Sequence, residues 1–290
     1  MAERPRSERA TQDRLAAFLT KPEAEGGLGF RVLGDWSKRD GNRGIAPDML
    51  RANLTKRGYS DAQISAALLR LQTAAEVTGT TLYQAGLKSY QLLRYGVAVQ
   101  TTVSQPHMTV HLIDWTNIAA NDFALAEEVT LKGGHERRPD LVLYLNGIAI
   151  AVIELKRSSV EVGDGIRQLI TNQEEIFNAA FFPTVQLLLA GSDAQGLHYG
   201  TVGTPEKFFV EWKDEDPPTG TPEKGALLDR PVAQMLRKER LLDLIRNFVI
   251  FDGGQKKVPR QHQFKGVKLA QERIANTARC TPGELDREES

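Results

Sequence analysis

The sequence predicts an α/β fold built on a mixed sheet with flanking helices, and three observations carry that expectation. The segment RPDLVLYLNGIAIAVIELK (138–156) sets two almost wholly apolar runs on either side of an Asn-Gly pair, as expected of strands covered on both faces. Around it the periodicities run helix, strands, helix, strand, which suits helices packed on a sheet. The 290 residues are 41% hydrophobic and 26% charged, enough for a large core and for more than one domain.

Taken in order, SERATQDRLAAFL (7–19) carries apolar side chains at helical spacing and opens the fold with an amphipathic helix. GDWSKRDGNRG (34–44) is a Gly- and charge-rich loop. Helices are expected over 47–58 and 60–77, with Ser60 capping the second, and again over 80–95. MTVHLIDW (108–115) and FALAEEVTL (123–131) read as strands separated by TNIAAND. After the central hairpin, DGIRQLITNQEEIFNA (164–179) reads as a helix capped by Asp164, and TVQLLLAGS (184–192) as a buried strand. KDEDPPTGTPEKG (213–225) is linker-like, 231–250 is strongly helical, and no internal repeat is visible.

Composition excludes several classes. Lys+Arg and Asp+Glu both number 37, so a nucleic-acid partner must be held by a local basic patch, not by net charge. Cys280 is the only cysteine, which rules out an internal disulfide and any multi-cysteine zinc site. The N-terminus MAERPRSERATQDR has no apolar core, and no apolar run approaches the ~18–20 residues of a membrane span. The expectation is a cytoplasmic protein with no membrane contact.

Charged residues bracket the central hairpin. Strand alternation puts Glu154 and Lys156 on one face, with Leu155 opposite. A two-residue Asn146-Gly147 turn with regular pairing would align Asp140 with Ile153 and leave Asp140 and Glu154 on opposite faces. A three-residue loop, Leu145-Asn146-Gly147, pairs Tyr144 with Ile148 and brings Asp140, Glu154 and Lys156 together. Convergence therefore demands an odd loop or a bulge. Charges on buried strands are costly unless paired or bound to an ion. An Asp/Glu pair offers hard oxygen ligands suited to Mg²⁺, which can activate water and stabilise charge on a phosphate. A lysine two residues on could hold the attacking water or neutralise the developing charge. In outline this is a hydrolytic phosphodiesterase site; the competing reading is a set of solvated strand ends.

The surrounding text decides between them. RRPDLVLYLNGIAIAVIELKRSSVEVGDGIRQ resembles the nuclease core of the restriction (R) subunit of type I restriction-modification enzymes, a PD-(D/E)xK nuclease, and TQDRLAAFL, GDWSKRDGNRG, LIDW, ANDFALAEEVT, YGTVGTPEKFF and FDGGQKKVPRQHQF extend the likeness. The resemblance implies a restriction-endonuclease-like core over 1–212, a linker at 213–226 and the first part of a helicase-like motor over 227–290. It implies Asp140 and Glu154 as Mg²⁺ ligands, Lys156 as the catalytic lysine, and Gln168 as the glutamine of a downstream QxxxY motif. That motif is linked to nuclease function and DNA contact; Asn172 stands in its tyrosine position. Glu8 resembles the acidic residue of the first helix, a further candidate ligand. Phosphate-holding charge is expected from Lys132, Arg137, Arg138, Arg157 and Arg167.

RQHQF (260–264) resembles the family's adenine-reading motif, with Gln263 on the base and Arg260 near the nucleotide. No G-x-x-x-x-G-K-[ST] phosphate loop follows; GTTLYQAGLKS (79–89) only imitates one. ATP is therefore expected only of full-length relatives, and the chain reads as an N-terminal fragment. Its apolar residues Leu241, Leu242, Leu244 and Ile245 would then face an absent motor lobe. Implied partners are double-stranded DNA and the methyltransferase and specificity subunits. A catalytically silent docking module and a stand-alone repair nuclease remain the alternatives.

Overall fold

The structure, a computed structural model, describes residues 8–39, 41–100, 106–213, 215 and 226–277. Cys280, the C-terminal tail and most of the 213–226 linker lie outside them.

The chain opens with α1 (Glu8–Thr20), whose Leu15 and Leu19 enter the core, followed by β1 (Arg31–Asp35). Three helices follow: α2 (Pro47–Lys56), α3 (Asp61–Ala74) and α4 (Leu82–Tyr95). Ser60 caps α3 as expected, and Thr81 does the same for α4; each forms a reciprocal capping box with the glutamine three residues on. A small ribbon, β2 (Val97–Val99) and β3 (Met108–Val110), precedes β4 (Phe123–Glu127). The strand expected over 108–115 stops at Val110; shortly after, the Asp114 carboxylate accepts the N–H groups of Thr116 and Asn117 in a turn. The strand expected over 123–131 stops at Glu127 because Glu128 adopts a left-handed φ of 51°.

The central hairpin is β5 (Leu141–Leu145) and β6 (Ile148–Lys156), followed by α5 (Val162–Thr171). This helix begins two residues before Asp164, with the Val162 N–H held by Gln195 Oε1 at 2.6 Å. It ends well short of 179. Beyond Thr171 the chain turns to meet the 132–138 loop, and Gly134 N–H takes the Phe177 carbonyl at 2.9 Å. β7 (Leu187–Ser192), β8 (Gly196–Gly200) and β9 (Val210–Glu211) complete a seven-stranded sheet of order β1-β4-β5-β6-β7-β8-β9. Its β1–β4 and β6–β7 pairs are parallel and the others antiparallel, so the sheet is mixed as predicted.

Two apolar layers cover the sheet. One joins Trp36, Val142, Tyr144 and Val152 to Val162, Ile166 and Leu169 of α5. The other joins Leu15, Leu19, Leu143 and Ile153 to the helices of 47–95 and to the C-terminal segment. That segment is α6 (Ala226–Leu236), α7 (Lys238–Asp243), a π turn over Leu244–Phe248, the hairpin β10 (Ile250–Asp252) and β11 (Gln255–Lys257), and α8 (Gln261–Thr277).

Here the expectation for 227–290 needs correction. Leu241, Leu242, Leu244 and Ile245 do not await a missing lobe; they are buried in the same core as the sheet. The Tyr90 hydroxyl lies 2.9 Å from the Ile245 carbonyl and 3.1 Å from that of Val249, tying α4 to the π turn. Buried Lys256 donates to the Val185 carbonyl at 2.6 Å, and burial drives its pKa well below the ordinary lysine value.

Candidate active site

The site is built by the register of β5 and β6. Asn146 and Gly147 have φ values of 54° and 82°, forming a two-residue primed turn that pairs Leu145 with Ile148 and Tyr144 with Ala149. Asn146 tolerates the left-handed region because its side chain is fully engaged. Its amide donates to the Leu112 carbonyl at 2.9 Å, and its Oδ1 accepts the Asp122 N–H at 2.7 Å. The next pair is Leu143 with Ala151, so Ile150 is an extra residue, a β-bulge. Ile150 and Ala151 both enter the layer beneath α1, and Val152 returns to the α5 layer. The three-residue loop read from the sequence is therefore incorrect. The bulge does that work instead: Leu141 pairs with Ile153, which sets the preceding Asp140 beside Glu154.

Asp140 is held from several sides. Its Oδ2 accepts the Leu155 N–H at 2.7 Å, and its carbonyl accepts Glu128 N–H at 2.9 Å and Gln12 Nε2 at 3.3 Å. Burial raises its pKa to about 6, against the opposing pull of the Leu155 N–H and Lys156. Glu154 is fully buried, and neither carboxylate oxygen has a hydrogen-bond partner. Its nearest cation is Lys156, with Nζ 3.9 Å from Oε2. Burial first, and the Asp140 carboxylate second, push the Glu154 pKa up.

Lys156 comes off the same face of β6. Its Nζ donates to Gln168 Oε1 at 3.0 Å and to Glu8 Oε1 at 3.4 Å. The fold thus brings together Glu8 from α1, Asp140, Glu154 and Lys156 from the hairpin, and Gln168 from α5. Glu8 meets the lysine; among the described residues no group of three acidic, histidine or cysteine side chains converges to hold a metal. Asn172, whose N–H donates to the Gln168 carbonyl at 3.0 Å, is fully buried, and neither polar atom of its side chain has a hydrogen-bond partner. Gln12 was not singled out from the sequence, although it lies four residues after Glu8 on the same helical face.

Two expected phosphate-holding cations are already engaged. Arg138 pairs with Glu128, and Arg167 with both Asp164 and Glu206. Arg157 is exposed, and Arg137 lies over the Phe177 ring.

Arg260 and Gln263 lie far along the chain, at the start of α8. Gln263 Oε1 accepts the Arg260 N–H at 2.8 Å, and both residues line a cleft of about 600 Å³ with Tyr199, Phe208, Phe248 and Lys256. Among the described residues, no helix is long and apolar enough to cross a membrane.

The family model described as Type I restriction enzyme R protein N terminus (HSDR_N) matches residues 21–207. The putative type I restriction enzyme MjaVIIIP endonuclease subunit of Methanocaldococcus jannaschii is 35% identical over 180 residues, 58% of this chain and 16% of that relative. The type I restriction enzyme HindI endonuclease subunit of Haemophilus influenzae is 30% identical over 195 residues, 62% of this chain and 18% of the relative. The EcoprrI endonuclease subunit of Escherichia coli is 25% identical over 152 residues, covering 50% and 47%. The chain thus spans less than half the length of each.

Proposed function

The chain belongs to the family of type I restriction enzyme R protein N termini, and from that premise we propose that it is a Mg²⁺-dependent endonuclease domain hydrolysing phosphodiesters of double-stranded DNA. The observation that carries this reading is Glu154. A carboxylate buried with neither oxygen hydrogen-bonded, beside a second buried carboxylate and with only Lys156 at 3.9 Å for a cation, is costly by several kcal/mol unless a further cation compensates it. Two hard oxygen donors suit Mg²⁺, which takes few protein ligands.

Asp140 and Glu154 would hold the ion. Bound there, Mg²⁺ supplies a water of lowered pKa and draws charge from the scissile phosphate. The chain's own residues do the rest. Leu155 N–H fixes Asp140 Oδ2, and Oδ1, outside that bond, would be the oxygen offered to the ion. Gln168 and Glu8 accept from Lys156 and so orient its ammonium, which stands to position the attacking water or offset charge on the phosphate oxygens.

We assign residues 1–212 to the nuclease domain, 213–226 to a linker and 227–290 to the beginning of a motor. Burial of Leu228–Phe264 side chains in the nuclease core supports this first edge moving with the nuclease. Gln263 and Arg260 are the candidate adenine contacts, in which case Gln263 must give up the Arg260 N–H. Restriction in the cytoplasm would further need the motor, the methyltransferase and the specificity subunit. The test is nicking of supercoiled plasmid by the purified chain with Mg²⁺ or EDTA. Nicking that requires Mg²⁺ and disappears in Lys156→Ala supports the reading; nicking unaffected by that substitution sinks it.

A further inference from the structure

We propose that two arginine–aromatic stacks, Arg39 on Trp36 and Arg137 on Phe177, form a clamp gripping the phosphodiester backbone of DNA on the catalytic face. The inference rests on the nuclease reading above and adds where that substrate is held.

Arg39 Cζ lies 3.7 Å from the Trp36 ring centroid, and Arg137 Cζ lies 4.1 Å from that of Phe177. A guanidinium held over an aromatic ring is already ordered and only weakly hydrated, which suits phosphate oxygens. Neither arginine has an ion-pair partner among the described residues, whereas nearby Arg9, Arg138 and Arg167 are each held by carboxylates. In a chain of balanced charge, unpaired cations such as these, and exposed Arg157, are the ones that can attract a polyanion.

Both stacks sit on rigid supports joined to the site. Trp36 packs with Val142, Tyr144 and Val152, the layer on the Asp140 and Glu154 side of the sheet. Its N–H donates to the Glu127 carbonyl at 2.8 Å, and its own carbonyl accepts Asn42 Nδ2 at 3.0 Å. The same Asn42 amide reaches the Thr130 carbonyl at 3.0 Å, and Thr130 Oγ1 donates to the Ser37 carbonyl at 2.7 Å. The tryptophan loop is therefore bonded to the 129–139 loop that leads into Asp140.

The second stack grows from that same loop. Gly133 and Gly134 press on the 176–177 backbone so closely that a Cβ would fall 1.8 Å from the Phe177 carbonyl oxygen and 2.1 Å from that of Ile176, respectively. Asn178 Nδ2 donates to the His135 carbonyl at 3.2 Å. One continuous support thus carries two unneutralised guanidinium groups, one from the loop after β1 and one three residues before Asp140.

The test is equilibrium binding of a fluorescent 30-base-pair duplex to the full chain in EDTA, over a salt series, with thermal melting as a folding control. Arg39→Ala and Arg137→Ala should each weaken binding roughly fivefold and lower the slope of log affinity against log salt by about 0.9. The lysine substitutions, which keep the charge but lose the planar stack, should recover only part of the affinity. Arg138→Ala, whose charge Glu128 already neutralises, should change binding less than twofold. Folded alanine variants that bind like wild type, or an Arg138→Ala loss as large as that of Arg137→Ala, overturn the clamp alone. A wild-type chain that does not bind the duplex overturns the nuclease reading and the clamp with it.

Discussion

Asp140 and Glu154 repel each other inside an apolar setting, and this makes the metal-free protein sensitive to pH. The Asp140 pKa rises from 3.8 to about 6, and that of Glu154 rises too. For a raised pKa the folded state holds the proton more tightly, so the stabilisation is present below the unfolded value and lost as pH climbs through the folded one. For Asp140 alone the shift corresponds to about 3 kcal/mol, at ~1.4 kcal/mol per unit. In EDTA, the melting temperature should therefore fall as pH rises from about 4 through about 6, with Glu154 extending the fall upward, and Mg²⁺ at pH 8 should restore it. Glu154→Gln should flatten that profile, raise metal-free stability at pH 8 and abolish the Mg²⁺ response. A wild-type melting curve indifferent to Mg²⁺ at pH 8 would count against the site. Asp140→Ala should in turn remove Mg²⁺-dependent nicking while leaving duplex affinity unchanged or higher, because it would delete a proposed metal ligand and a negative charge from the proposed site; a parallel loss of binding would show a folding defect instead.

At the scale of elements, the hairpin shows what the sequence makes legible and what it hides. Its apolar runs, its Asn-Gly turn and the side shared by Glu154 and Lys156 follow from residue type and the period of two. The bulge at Ile150 does not, because an extra isoleucine in an all-apolar run changes neither composition nor turn chemistry. Its trace is tertiary: the Ile150 carbonyl accepts the Gln186 N–H at 2.8 Å just before β7 begins. The end of α5 was hidden for the same reason, since the contact between the 132–138 loop and Phe177 joins residues distant in sequence. The turn itself is unforgiving. At Gly147, with φ of 82°, a Cβ would lie 2.6 Å from Met49 Cβ and 2.8 Å from the Ala46 carbonyl. Gly147→Ala should cost at least ~1 kcal/mol of stability, read as a lower urea midpoint at unchanged slope. An unchanged midpoint would mean that the turn is free to move.

Across the whole molecule, the largest departure from expectation lies after the linker. The helical spacing of 231–250 was readable, but the surface it covers was not, because an apolar face specifies burial without naming its partner. The structure names it: Leu228, Val232, Leu241 and Ile245 share a core with Tyr199 and Trp212, and Tyr90 bonds the backbone of the π turn. Residues flanking a Pro- and Gly-rich linker thus form one cooperative body, not a folded domain with a loose tail. Leu241→Ala should accordingly lower the stability of the entire chain by about 2–5 kcal/mol. Tryptophan fluorescence, from Trp36, Trp115 and Trp212 together, and far-ultraviolet circular dichroism should shift to lower urea concentration together. Limited proteolysis provides the complementary measurement. Cutting should begin within 213–225, and the fragment beginning near residue 226 should stay bound to the N-terminal fragment through gel filtration, held by the shared core. If that fragment separates freely, or if Leu241→Ala melts the C-terminal segment while the Trp36 side of the sheet is unaffected, the single cooperative body is wrong and an independent lobe after the linker is favoured.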